Sequence, residues 1–236
     1  MGALKSELPR NTTMDLSVPR DVRHRRLLTV TGITGIAYSL SWIAGLAVAA
    51  PSPKLTASGA SITAALAGHQ AAVVLQFGLT EGLPAAGLAV ISIALARAAR
   101  RSGAAAHARI AIVAGLAAAL VSLVQFVLGV VLAGTTNPGS AHLLFESVNR
   151  LDGVKMLALA ILGLAGATSG VLPRWLRYAG IILAIAITSS AVAYLLLLPG
   201  LAALAYVSGP LLLLFITGTG IALGTSGGKP RRPGQD

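Results

Sequence analysis

The chain has no cysteine, which excludes disulfides, thiol chemistry and cysteine-held iron–sulfur clusters. Charge is scarce as well: 11% of its 236 residues are charged, where roughly 25% is ordinary for a soluble domain. Acids are the scarcest sign, with seven Asp and Glu against eighteen Lys and Arg. Aromatics make up only 4% of the chain, few for a site built on aromatic walls. No nucleotide-binding glycine loop, nucleophile elbow, zinc-ribbon spacing or His-Glu-x-x-His motif occurs. The apolar runs do not alternate with polar residues, so a β-barrel is excluded.

What is present is hydrophobic length. Six runs approach or exceed the roughly 20 residues that cross a bilayer as a helix: Leu27–Ala50, Ala71–Ala96, Ile110–Ala133, Val154–Val171, Ala179–Leu198 and Leu201–Leu223. The fourth is short, with an earlier start near Ala141 as the alternative. Pro199-Gly200 predicts a tight reversal between the last two. The expected fold is an all-α integral membrane bundle of six transmembrane helices over 27–224. A basic tail, 1–26, precedes it and a second, 225–236, follows; both lack the apolar periodicity that would order them.

Lys and Arg mark the cytoplasmic side of membrane proteins. Fifteen of the eighteen fall in the two tails and in the second and fourth loops. The exceptions are Lys54, Arg150 and Lys155. Both termini are therefore expected in the cytoplasm. The net charge of +11 reads as topology, with an added attraction to anionic membrane lipids. It is spread over tails and loops without stacking aromatics, so it does not describe a nucleic-acid surface. A 24-residue first apolar run behind a long polar leader is unlike a cleavable signal. The Ala-, Gly- and Arg-rich usage points to a bacterial inner membrane. Asn11-Thr12-Thr13 has the form of a glycosylation sequon, but on a tail expected to be cytoplasmic.

Glu81 stands out chemically. It is the one formal charge in Ala71–Ala96, about 15 Å into the span at 1.5 Å per residue. A lone acid there is costly and is expected to face a partner or a polar cavity. Gly78 and Gly82 let a neighbouring helix approach. Pro84 lacks an amide proton and crowds the carbonyl of Thr80, so a kink with a freed carbonyl is expected beside Glu81. A second cluster precedes the fourth span: His142, Glu146, Asn149, Arg150, Asp152 and Lys155. On a helix, Glu146 meets Arg150 at i+4, and Asp152 meets Lys155 at i+3. Further polar groups lie at middle-to-outer depth: Ser39 and Ser41 in span one, Ser122 and Gln125 in span three, Ser189, Ser190 and Tyr194 in span five, and Ser208 in span six. A pocket in the outer half of the bilayer accounts for that distribution. The loops Pro51–Gln70 and Gly134–Gly153 are the long ones, and residues 61–69 predict a short interfacial helix.

Two readings follow. In the first, the chain is a membrane enzyme acting on a lipophilic small molecule, such as acid/base isomerisation or cyclisation of a prenyl-type substrate. Glu81, Glu146 and Asp152 are the candidate catalytic acids. Tyr38, Trp42, Phe77, Gln125, Phe126, Asn149 and Tyr194 are the candidate substrate contacts. In the second, it is a carrier or accessory subunit, with Glu81 coupling protons or bracing the fold; a carrier of six helices is expected to form a homo-oligomer. His69 and His142 share the outer side with Glu146 and Asp152, but no tight ligand spacing joins them, so neither a metal nor another cofactor is expected.

Gly35-Ile-Ala-Tyr38 in the first span, the long outer loop and Leu172-Pro-Arg-Trp-Leu-Arg177 entering the fifth span give the chain its layout. That layout, over about 26–224, resembles a family of small six-helix bacterial membrane proteins known as a domain of unknown function, the 4386 type. The resemblance implies a fold and no activity.

Overall fold

Backbone groups in a bilayer have no water to bond, so apolar runs of this length satisfy themselves as helices. The computed structural model of the protein describes residues 20–225, with side chains from residue 30. Its helices are α1 (Arg20–Ala47), α2 (Gly59–Leu66), α3 (Gln70–Phe77), α4 (Leu83–Arg101), α5 (Ala105–Gly134), α6 (Pro138–Thr168), α7 (Arg174–Leu195), α8 (Pro199–Ala202) and α9 (Ala205–Thr225). A five-residue π turn, Gly78–Gly82, joins α3 to α4 as one bent rod. Among the described residues there is no strand, and six helical stretches are long and apolar enough to cross a membrane.

Local chemistry sets the ends. The Ser140 N–H donates to Asn137 Oδ1 at 3.0 Å, and Pro138 follows that cap, so α6 begins there. The α4–α5 and α6–α7 reversals turn at Gly103 (φ 84°) and Gly170 (φ 75°), a left-handed backbone that glycine adopts without penalty. The short helix expected over 61–69 is α2, capped by Ser58. Its buried Ile62 and Leu66 join Leu132 and Ala141 in a small apolar cluster at one end of the bundle.

Three boundaries differ from the sequence reading. The fourth span is one unbroken helix from Pro138 to Thr168, so Asp152 and Lys155 lie within a rod and not before it. Helix α1 starts at Arg20, inside the stretch expected to be a tail. The reversal at Pro199-Gly200 is instead a nine-residue detour (196–204) through α8, with Leu197 at φ 52° before it. Residues 1–19 and 226–236, with the sequon and most of both tails, lie outside the described residues.

The six long rods pack as a closed ring in chain order, each antiparallel to the next, with α9 returning to α1. Small residues set the closest approaches. A methyl added at Gly220 would lie 3.1 Å from the Gly35 Cα and 2.9 Å from the Thr31 carbonyl oxygen, the α1–α9 crossing. One added at Gly180 would lie 2.9 Å from the Gly163 carbonyl oxygen, the α6–α7 crossing. Such backbone proximity is how helices associate where lipid removes the hydrophobic drive. On the outside of α5, Val113, Leu120 and Val127 recur every seven residues and are each more than half exposed, the stripe expected to face acyl chains.

Polar groups also close the ring. Ser39 on α1 and Thr217 on α9 hydrogen-bond at 2.6 Å, and Thr217 Oγ1 donates to the Gly35 carbonyl at 3.1 Å. Ser39→Ala is expected to cost about 0.6 kcal/mol, the usual worth of an interhelical bond in a membrane. Thermal unfolding in micelles reads this as a small downward shift.

Candidate functional site

The site begins with a backbone defect. At the π turn the Leu83 N–H donates to the Gly78 carbonyl, one residue further back than in an α-helix. Residue 84 is proline and has no N–H. The Leu79 carbonyl therefore lacks a backbone donor at either spacing, and Ser41 on α1 supplies one, with Oγ donating at 2.7 Å. The freed carbonyl expected from Pro84 is thus Leu79's, and a neighbouring helix satisfies it. The Phe126 ring covers the turn from α5, 3.4 Å from a methyl placed on Gly82. The widened turn directs Glu81 into the ring of helices, where it is 7% exposed.

Glu81 is not alone. Lys155 Nζ on α6 donates to Glu81 Oε1 at 2.7 Å and Oε2 at 2.8 Å. The same ammonium lies 2.7 Å from Asp152 Oδ1. Gln125 Nε2 on α5 donates to Asp152 Oδ1 at 3.3 Å and to the Val148 carbonyl at 3.1 Å. The result is an anion–cation–anion triad drawn from two spans and braced by a third. Lys155 is as buried as Glu81. Charges in a low-dielectric interior persist when paired and hydrogen-bonded, and Lys155 meets that condition twice. With all three ionised, the triad carries one net negative charge.

Beside the triad is a cavity of about 90 Å³ lined by residues of all six long rods. Tyr38 and Trp42 come from α1, Thr80 from the π turn, Ser122 from α5, Asp152, Lys155 and Met156 from α6, Tyr194 from α7, and Ser208 and Gly209 from α9. Ser208 Oγ is held 3.0 Å from Ser190 Oγ of α7. Most of these residues sit in the half of the bundle away from the end that carries Arg97, Arg100, Arg101, Arg109, Arg174 and Arg177. Since α7 ends at Leu195 and α9 starts at Ala205, Tyr194 and Gly209 bring the cavity close to that opposite end.

The candidates divide accordingly. Glu81 and Asp152 meet on Lys155; Tyr38, Trp42 and Tyr194 line the cavity with Asp152; Gln125 touches the triad from behind. Glu146 does not join them. It pairs with Arg150 at 3.3 Å near the start of α6, with the arginine mostly exposed. Asn149 donates to the Phe145 carbonyl of its own helix at 2.7 Å. Phe77 packs on Gly129 and against the end cluster around Ile62, and Phe126 caps the π turn. Neither ring lines the cavity. His142 is exposed, and His69 Nδ1 is 3.0 Å from the Ala67 carbonyl oxygen. No group of three His, Cys, Asp or Glu residues suited to a metal occurs among the described residues.

Sequence reasoning left Lys155 out of the site by treating it as a helix-end partner of Asp152. The missed signal is Asn137-Pro138, a helix start that moves Lys155 into mid-span. One buried anion and one buried cation in different spans then call for each other.

Fold and site together define a class: a multi-pass helical membrane protein with a buried ion triad bordering an intramembrane cavity. No family model, curated protein or solved structure matches the chain, so the functional reading rests on the site.

Proposed function

We propose that this protein is a bacterial inner-membrane protein that takes the polar end of a lipophilic small molecule into the cavity between its six helices. There it exchanges a proton with that molecule through Asp152. The basic end, with both termini, faces the cytoplasm, which puts the cavity in the outer half of the bilayer. The observation carrying this reading is that Asp152 and Lys155 both border the cavity while Glu81 lies behind Lys155. A lysine held by a two-oxygen contact to a carboxylate is stabilised as the cation. A carboxylate so occupied is a poor proton donor. Acid–base work therefore passes from Glu81 to Asp152, with Lys155 as its electrostatic partner. Glu81 has the supporting role of counter-ion.

The cavity beside the triad is small, about 90 Å³. It admits a head group and not a folded prenyl chain, so the apolar body of the molecule extends toward lipid. This favours isomerisation, proton transfer or simple binding at one end over cyclisation of an enclosed chain.

Gly209→Leu tests the reading, because a methyl at Gly209 meets only Trp42, at 3.9 Å. The longer side chain should fill the cavity and leave the triad intact. Mass spectrometry of molecules co-purifying with the wild-type protein should show a discrete lipophilic species that Gly209→Leu lacks. Identical bulk-lipid profiles for the two proteins would remove the binding function.

A further inference from the structure

Both partners of Asp152 fall on one oxygen. Lys155 Nζ and Gln125 Nε2 each approach Oδ1. No described residue donates to Oδ2, although the side chain is 21% exposed and borders the cavity. The other polar atoms of the triad are turned toward each other: both Glu81 oxygens are on Lys155. The cavity therefore meets the triad at the Asp152 carboxylate, whose second oxygen has acceptor capacity left, in a site where two carboxylates share one ammonium. The same cavity is lined by Trp42, Tyr38 and Tyr194, three of the ten aromatics in the chain. Aromatic faces attract cations, tryptophan most strongly, and more so when water is excluded.

We infer that the cavity is a site for an organic ammonium group, with Asp152 Oδ2 as counter-charge and Trp42, Tyr38 and Tyr194 as walls. This rests only on the cavity being a ligand site and adds the chemical class of its occupant: a small alkyl amine, whose N–H can exchange a proton with Asp152, or a quaternary amine, which would be bound without proton exchange, free or as the head of a larger molecule. Binding such a cation brings the triad to neutrality without changing its internal contacts. An anionic group would meet the excess negative charge. A neutral apolar group would leave the Asp152 carboxylate facing neither a donor nor a positive charge, a costly arrangement in a dry site.

The test uses the full chain in phosphatidylglycerol nanodiscs, which contain no amine head group. Tetramethylammonium chloride is titrated in a Trp175→Phe background, so that emission reports Trp42 alone. Sodium chloride and the neutral isostere tert-butanol are titrated in parallel. A saturable change with tetramethylammonium, absent with the other two and at least tenfold weaker in Asp152→Asn, is the expected result. Asp152→Asn leaves one carboxylate against one lysine, a balanced pair, so the fold should persist; size-exclusion retention checks this. Trp42→Leu, read by calorimetry, alters a wall without altering charge and should also weaken binding several-fold.

Discs doped with phosphatidylcholine separate the two sources. A higher tetramethylammonium requirement there identifies a lipid head group as the occupant, and an unchanged one identifies a free amine; both support the inference. Equal binding of tert-butanol or sodium, or an undiminished response in Asp152→Asn, overturns it. So does silence toward tetramethylammonium in both kinds of disc. If a lipophilic species still co-purifies and is lost in Gly209→Leu, only the cation class fails and the binding function stands.

Discussion

Lys155→Met should destabilise the protein by about 3 kcal/mol or more, the scale for breaking a buried ion pair from one side. The substitution keeps an unbranched side chain, one atom shorter, and removes its charge. Glu81 then loses both hydrogen bonds from Lys155, and Asp152 keeps only Gln125. Two carboxylates are left near each other with no cation, in an interior that does not solvate them. The companion variant Glu81→Leu strands less charge, because Lys155 retains Asp152 at 2.7 Å. The double variant removes the cation and one anion together. It should be more stable than the sum of the single effects by about 1–3 kcal/mol, the usual size of coupling between residues in direct contact. Unfolding curves in micelles for the four proteins measure this. Strict additivity would mean that Glu81 and Lys155 do not act as a pair.

Gly220→Leu should open the ring of helices where it closes. Its first side-chain carbon would fall 2.9 Å from the Thr31 carbonyl oxygen, 3.1 Å from the Gly35 Cα and 3.2 Å from Ile91 Cδ1. Two of these neighbours are backbone atoms, which cannot rotate away as a side-chain end can. Helices α1 and α9 must separate, and the Ser39–Thr217 and Thr217–Gly35 hydrogen bonds stretch with them. Overpacking costs typically about 1–3 kcal/mol, and this site belongs at the upper end. Gly134→Ala is the control, since a methyl there meets nothing within 4 Å. Equal melting temperatures for Gly220→Leu and the wild type would argue against this crossing.

The cavity depends on that closure. Its walls come from all six rods, so parting α1 from α9 moves Trp42 away from Gly209. The loss of stability in Gly220→Leu should therefore come with a loss of whatever the cavity holds. Gly209→Leu, by contrast, should empty the cavity with little effect on melting.

The sites of these effects differ in how legible they were. Gly220-x-x-x-Gly224 is visible as a packing motif, but its partner Gly35 lies in the first span, far away in sequence. Asp152 and Lys155 are legible as an i, i+3 pair. The inferred end of their span was misleading, because hydropathy dips wherever a charge sits, whether inside or outside a membrane. Glu146 and Asp152 look equivalent as acids before a helix. Six residues apart, they point in different directions on α6 and meet different surroundings, one near the helix start beside Arg150 and one beside the cavity. Phe77 and Phe126 are expected as substrate contacts; close packing on Gly129 and on the π turn takes them instead.

What the sequence by itself determined was one-dimensional. Hydropathy set six rods, the distribution of Lys and Arg marked one end of them, and a lone Glu81 required a counterpart somewhere inside. These follow from the cost of putting peptide groups and charges into hydrocarbon, which each segment bears independently of the others. Tertiary structure decided which cation answers Glu81, 74 residues away, and that Asp152, not Glu146, borders the cavity. Those depend on the order of helices in the ring and on the rotation of each about its axis. Glycine crossings and a proline-induced π turn set that rotation, and no single segment encodes it.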